Sequence, residues 1–335
     1  MDIKFILAKG EAMLNKDWGV GLRKAHLEVV NSMDARRRPL RFPSDIKLDG
    51  DHECVHMKLL DRAPASNMQT NAAAFEAWAL ALHVWCGAKR VVLDWESIDD
   101  KDGTLGYRHY QRFLYRVEKF RSWFPSWFGV ANADALRDAE AIAKSGLVLN
   151  VSNSDRKAEA VSPEAKLERQ LKSSKRFRKH FSLVKVGTQF PVGLFRGEVA
   201  TKNQVFPGGS AAIDLIAQDE QDCLCLFELK AGMNIPAGII SELLFCTWVM
   251  QDAMTGHFQF GAEPSAEKGE IKPVDIRACK TIKARFIGNK FHPLLDGGDI
   301  LAELNKAGVG TSPAVRFGLT EVVGEGEPFH FKDSP

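Results

Sequence analysis

The sequence predicts an α+β chain in two domains, and three observations carry that expectation. Two apolar runs of strand length, 211–217 and 223–229, flank the polar turn 218–222, as in a β-hairpin. Apolar residues at spacings of three and four mark helices at 107–124 and 237–254. The stretch VSNSDRKAEAVSP is polar enough for a linker, dividing a mixed α/β domain at 1–150 from a second domain at 164–325 by the segment 151–163.

Composition bounds the function classes. A 335-residue chain that is 45% hydrophobic can bury two cores, and a net charge of +2 means that any affinity for nucleic acid must come from local patches. The six cysteines are scattered without a CxxC pair, so reduced thiols are expected rather than a zinc site. The apolar run at the start is too short for a secretory signal, and no apolar stretch reaches the ~20 residues of a membrane span. The expected setting is cytoplasmic, away from membranes.

In chain order, 3–8 and 54–60 read as strands and 71–86, rich in Ala and Leu, as a buried helix that Gly87 ends before a strand at 90–95. His52 and His56 flank Glu53 on a strand, without the helical spacing of a metalloprotease pair, and His83 reads as a core histidine. The arginines of the 107–124 helix and the run Arg36-Arg37-Arg38 read as solvated faces that can also meet phosphates. Trp123, Phe124, Trp127 and Phe128 read as core. The role expected of this half is the choice of substrate or partner.

Ser162-Pro163-Glu164 opens a helix with a serine cap, a first-turn proline and an acid at the positive end of the dipole, and the helix is expected to run to His180. Glu164 and Glu168 share one face. Seven Lys or Arg against the single acid Glu168 lie between Lys166 and Lys179, so Lys172, Lys175, Arg176, Arg178 and Lys179 form a patch suited to a phosphate backbone. A strand at 182–195 bends at Pro191-Val192-Gly193, and a polar loop follows at 197–209.

The hairpin then carries charge where core strands avoid it. Asp214 lies among Ile213, Leu215 and Ile216, and Glu228 and Lys230 follow Leu226 and Phe227. Alternation puts Glu228 and Lys230 on one face and Cys223, Cys225, Phe227 and Leu229 on the other. With Asp214 opposite Glu228, two carboxylates and an ammonium converge in a site for a hard cation such as Mg²⁺. The helix at 237–254 places Glu242 in its second turn, and a strand at 275–287, a helix at 298–307 and a strand at 314–323 complete the chain.

Asp214, thirteen intervening residues and Glu228-Leu229-Lys230 resemble the PD-(D/E)xK nuclease superfamily, with Ile213 where the family has its proline. The resemblance covers about 164–323. It implies a restriction-endonuclease-like core of one helix, a three-stranded meander, a second helix and a further strand. It also implies Mg²⁺- or Mn²⁺-dependent hydrolysis of phosphodiester bonds, with DNA ahead of RNA as partner, and a homodimer. In that pattern Asp214, Glu228 and the Leu229 carbonyl bind the metal, with Glu168 as an added ligand from the first helix. Lys230 assists the attacking water, and Gln189 stands near the cleft. Two alternatives remain: a catalytically silent nucleic-acid-binding module, and an interaction protein in which Asp214 and Lys230 form a buried ion pair.

Overall fold

The computed structural model describes residues 42–334 apart from 52, 97, 99–101, 152–161, 208–211, 232–235, 263–269, 296 and 325–328. The strand expected at 3–8, the run Arg36-Arg37-Arg38, His52 and most of the linker lie outside the described residues. The fold is mixed α+β, with eight α-helices and three sheets among the described residues. Two compact units form. Met1–Lys144, Pro236–Ser241 and His292–Glu303 make the first; Ser145–Ile235, Glu242–Phe291 and Leu304–Pro335 make the second.

In the first unit β1 (Ile46–Gly50), β2 (Val55–Leu59), β3 (Val91–Trp95) and β4 (Phe128–Val130) form one sheet in that order, with β1 antiparallel to β2 and the others parallel. The expected helix at 71–86 is one helical passage with three hydrogen-bond patterns: a 3-10 turn at Asn71–Ala73, α1 at Phe75–Leu80 and a π turn at Ala81–Trp85. Gly87, at φ +72°, ends it. Two longer helices follow, α2 (Leu105–Trp123) and α3 (Ala133–Ala143), the first capped by Thr104, whose Oγ1 accepts from Tyr107 N at 3.2 Å. Phe75 meets Phe113 and Phe120 edge-on at 5.5 and 5.7 Å, and Phe124, Trp127 and Phe128 are buried with them. His83, half-buried at the edge of the core, stacks flat on Trp127 at 4.2 Å, and its Nδ1 lies 2.7 Å from the Ala88 carbonyl. The buried Glu76 receives the Arg116 guanidinium, with Nε donating at 2.7 Å, and the Ser241 hydroxyl at 2.7 Å.

The second unit contains β5 (Val148–Leu149), α4 (Pro163–Ser173), α5 (Lys175–His180), β6 (Leu183–Pro191), β7 (Leu194–Phe195), β8 (Ala212–Asp219) and β9 (Cys223–Lys230). It continues through α6 (Gly238–Met254), which begins in the first unit, β10 (Gln259–Phe260), α7 (Pro273–Ala278) and β11 (Thr281–Gly288). Last come α8 (Asp299–Val309), whose first residues belong to the first unit, β12 (Ala314–Val323) and β13 (His330–Ser334). A six-stranded sheet runs β13-β12-β11-β9-β8-β6, and a small one β10-β5-β7. β6, β8 and β9 are successive antiparallel neighbours, and β11 and β12 add in parallel after β9. Leu171, Phe177, Leu183, Val186, Leu215, Phe227 and Leu229 pack into one core.

Three elements differ from the expectation, each for a local reason. The helix expected at 164–180 breaks at Ser174, whose extended backbone (φ −72°, ψ 117°) ends α4 while its Oγ accepts from Phe177 N at 3.2 Å and caps α5. The break lets Leu171 and Phe177 both reach the core. The strand at 182–195 divides at its bend, so β6 joins the large sheet and β7 the small one. The strand at 275–287 begins only at Thr281, because Pro273 starts a helix and Asp275 Oδ2 accepts from Lys272 N at 2.9 Å. All six cysteines are free thiols, and no described helix is long and apolar enough to cross a membrane.

Candidate active site on the central hairpin

The hairpin register pairs Leu215 with Phe227 and Ile216 with Leu226, and the ladder ends there, one residue short of Asp214 and Glu228. Asp214 is tied to the next strand through its side chain, since Oδ2 accepts from Leu229 N at 2.8 Å. On its other side Oδ1 accepts from Gln189 Nε2 at 3.2 Å. The same Gln189 nitrogen donates to Glu168 Oε2 at 2.6 Å, so one amide bridges the helix glutamate and the strand aspartate.

Gln189 reaches both through an unusual backbone. Its φ is +50°, although its neighbours Thr188 and Phe190 pair normally with Leu215 and Ile213. A left-handed conformation costs an L-residue roughly 1–2 kcal/mol, and here two carboxylate acceptors offset it.

On the next strand the Lys230 ammonium donates to Glu228 Oε1 at 2.8 Å and lies 3.7 Å from Glu242 Oε2, on α6. Glu228 and Glu242 are buried. Burial lifts the Asp214 carboxyl to about 7; the Lys230 charge and the Leu229 N–H oppose that rise, and the charges of Glu242 and Glu168 add to it. Burial, then Glu242 and Asp214, hold Glu228 well above the ordinary carboxylate range. Burial also raises Glu168, against its hydrogen bond from Gln189. For Lys230 burial works to lower the pKa, but Glu228 and Glu242 outweigh it and the ammonium stays charged.

Asp214, Glu228 and Glu242 thus gather around the single Lys230 ammonium, more carboxyl groups than one cation can compensate and a set that a hard divalent cation is suited to neutralise, while Glu168 joins them through Gln189 and meets the charges of Lys172 and Arg169 instead. Among the described residues no group of three or more His, Cys, Asp or Glu is arranged to hold a metal ion. Mg²⁺ is commonly bound through one or two carboxylates with the remaining positions left to water, so Asp214, Glu228 and a Leu229 carbonyl suffice as a donor set.

Of the basic residues, Lys172 lies near enough to Glu168 for its charge to act on that carboxyl. Lys172 pairs with Glu270 at 3.7 Å. Lys175, Arg176 and Lys179 are exposed and Arg178 half-buried on α5, with no ion pair among the described residues. Phe177 of the same helix packs on Phe227 at 5.1 Å, and Phe227 faces away from Glu228, so α5 covers the reverse face of the strand. In the polar loop at 197–209, Lys202 pairs with Glu198 at 3.8 Å. The sequence left Glu242 without a role. The one available signal was an acid set between Ile239, Ile240, Leu243 and Leu244 on a largely apolar helix, where a carboxylate needs a partner. No protein family, curated protein or solved structure matches the chain in any of the three comparisons made.

Proposed function

We propose that the second unit is a PD-(D/E)xK-type nuclease that hydrolyses phosphodiester bonds, DNA before RNA, with Mg²⁺ or Mn²⁺. The observation that carries this reading is the convergence of Asp214, Glu228 and Lys230 at one end of two paired strands, with buried carboxylates in excess of ammonium. The order of elements supports it: helix, three antiparallel strands, a helix and a strand parallel to the third. Asp214 and Glu228 would hold the cation with the Leu229 carbonyl, and Glu168 stands one amide away from Asp214. When bound, such a cation polarises a phosphoryl oxygen and lowers the pKa of water. Lys230 supplies a fixed positive charge for a phosphate oxygen or a water, where charge grows as the bond breaks. Gln189 and the Leu229 N–H fix both oxygens of Asp214, which removes reorganisation from the carboxylate.

The 2.8 Å contact of Lys230 with Glu228 favours a second reading, in which this pair is only structural. Cleavage of plasmid and single-stranded DNA with Mn²⁺ separates the two. Lys230→Ala and Lys230→Met are expected to keep the fold and the Mn²⁺-induced rise in Tm while lowering the rate by ~10² or more. The rise itself is expected to vanish in the double variant Asp214→Ala, Glu228→Ala. Wild-type rates in both lysine variants, or unfolding of both, would leave the structural pair as the better account.

A further inference from the structure

We propose that Glu242 is the positioning residue of Lys230, a second carboxylate seat for the ammonium that frees Glu228 to take a divalent cation. This rests on the nuclease reading above. Glu228 and Lys230 lie two residues apart on β9 and are already paired at 2.8 Å. With no other partner, the ammonium and an incoming cation would compete for the same buried carboxylate, and the loser would be left as an uncompensated charge. Glu242 removes that conflict. It projects from a different element, α6, and its Oε2 is 3.7 Å from the same Nζ.

The surroundings of Glu242 point the same way. Ile239, Ile240, Leu243 and Leu244 around it on α6 are buried, and Glu242 is buried with them, an environment in which an ionised carboxylate is costly unless it is paired, and Lys230 supplies the opposite charge. Asp214 is fixed differently, by the Leu229 N–H and the Gln189 amide. The three acids therefore divide the work: Asp214 is anchored, Glu228 is exchangeable, and Glu242 keeps the ammonium in place during the exchange.

The test is a double-mutant cycle on Mn²⁺ affinity, measured on the full chain without substrate by calorimetry or by the resonance signal of free Mn²⁺. Glu242→Gln is expected to weaken Mn²⁺ binding about 10-fold, because the ammonium then falls back on Glu228. In a Lys230→Met background the same substitution is expected to cost about 2-fold or less, since no ammonium is left to compete. A ratio between the two effects below about threefold would mean that Glu242 acts on the cation directly, by ligation or by charge alone, and overturns the proposal. No weakening in either background overturns it as well. Should Glu242→Gln fail to fold, Glu242→Asp, which withdraws the carboxylate by one methylene, takes its place under the same criterion. Wild-type protein that binds no Mn²⁺ sinks the nuclease reading together with this one, whereas a wild type that binds and an additive cycle sink this one alone.

Discussion

Gln189 is the residue at which local strain and the site coincide. A β-branched side chain at its φ of +50° crowds the backbone and also loses the amide, whereas glycine relieves the φ and loses only the amide. Gln189→Val is therefore expected to destabilise the protein by ~1–2 kcal/mol more than Gln189→Gly, read as the difference in urea midpoint at constant m. Equal midpoints would mean that the conformation stores no strain. Asp214 makes a second expectation at this scale. Its carboxyl rises from an ordinary 3.8 to about 7, so the folded state holds a proton that the unfolded chain has released. The stability from this group is complete below about 3.8 and is lost as the pH climbs to about 7. Glu228 shifts in the same direction. Metal-free protein is expected to show a Tm that falls across this window, with a shallower fall in Asp214→Asn and with Mn²⁺ restoring the loss near neutrality. A flat profile would place Asp214 in contact with water. The Asp214, Glu228 and Lys230 set was legible because charge within an apolar strand run stands out against a period of two. Gln189's backbone and Glu242's partner were not, since both depend on residues far away in sequence.

At the scale of elements, α5 poses the clearest question. Its four basic residues were legible as a charge excess, but composition does not say which face of the sheet a helix covers, and Phe177 turns α5 to the side away from Glu228. Neutralising Lys175, Arg176, Arg178 and Lys179 together is expected to lower DNA affinity and to flatten log K against log salt by about 0.9 for each phosphate that these side chains no longer neutralise. An unchanged slope would show that bound DNA keeps to the other face. The elements misread from sequence share one cause. At Ser174, Val192 and Lys272 a single cap or bend overrides the surrounding periodicity, and windowed apolar patterns average such residues away. Pro273 followed by Asp275 was a start signal for α7 in plain sight. The β8–β9 hairpin, α6 and β12 followed their patterns because each is long and no cap or bend interrupts it.

The whole molecule is two units threaded by one chain that returns to the first unit twice. A polar stretch can mark where a chain leaves a unit, but it carries no information on a later return. Within the first unit the returning segments supply Ser241 to Glu76 at 2.7 Å, Glu303 to the Trp127 indole N–H at 3.1 Å and His292 against Trp78 at 6.5 Å. A fragment ending at residue 150 lacks all three and leaves Glu76 and Arg116 with an incomplete buried network. It is expected to melt without cooperativity and without near-UV circular dichroism; a sharp two-state transition would show that the returning segments are dispensable. The same threading sets a timetable during synthesis. The first unit begins to emerge from the ribosome before the second, yet it cannot be completed until Glu303 has been made, 159 residues after Lys144. At ~5–20 residues per second that interval is roughly 8–30 s. Throughout it the nascent chain carries a hydrophobic half-core that chaperones can recognise, while Asp214, Glu228, Lys230 and Glu242 are all translated inside the same interval, so a chain cut short between Glu242 and Glu303 would carry every acid of the site and an unfinished first unit.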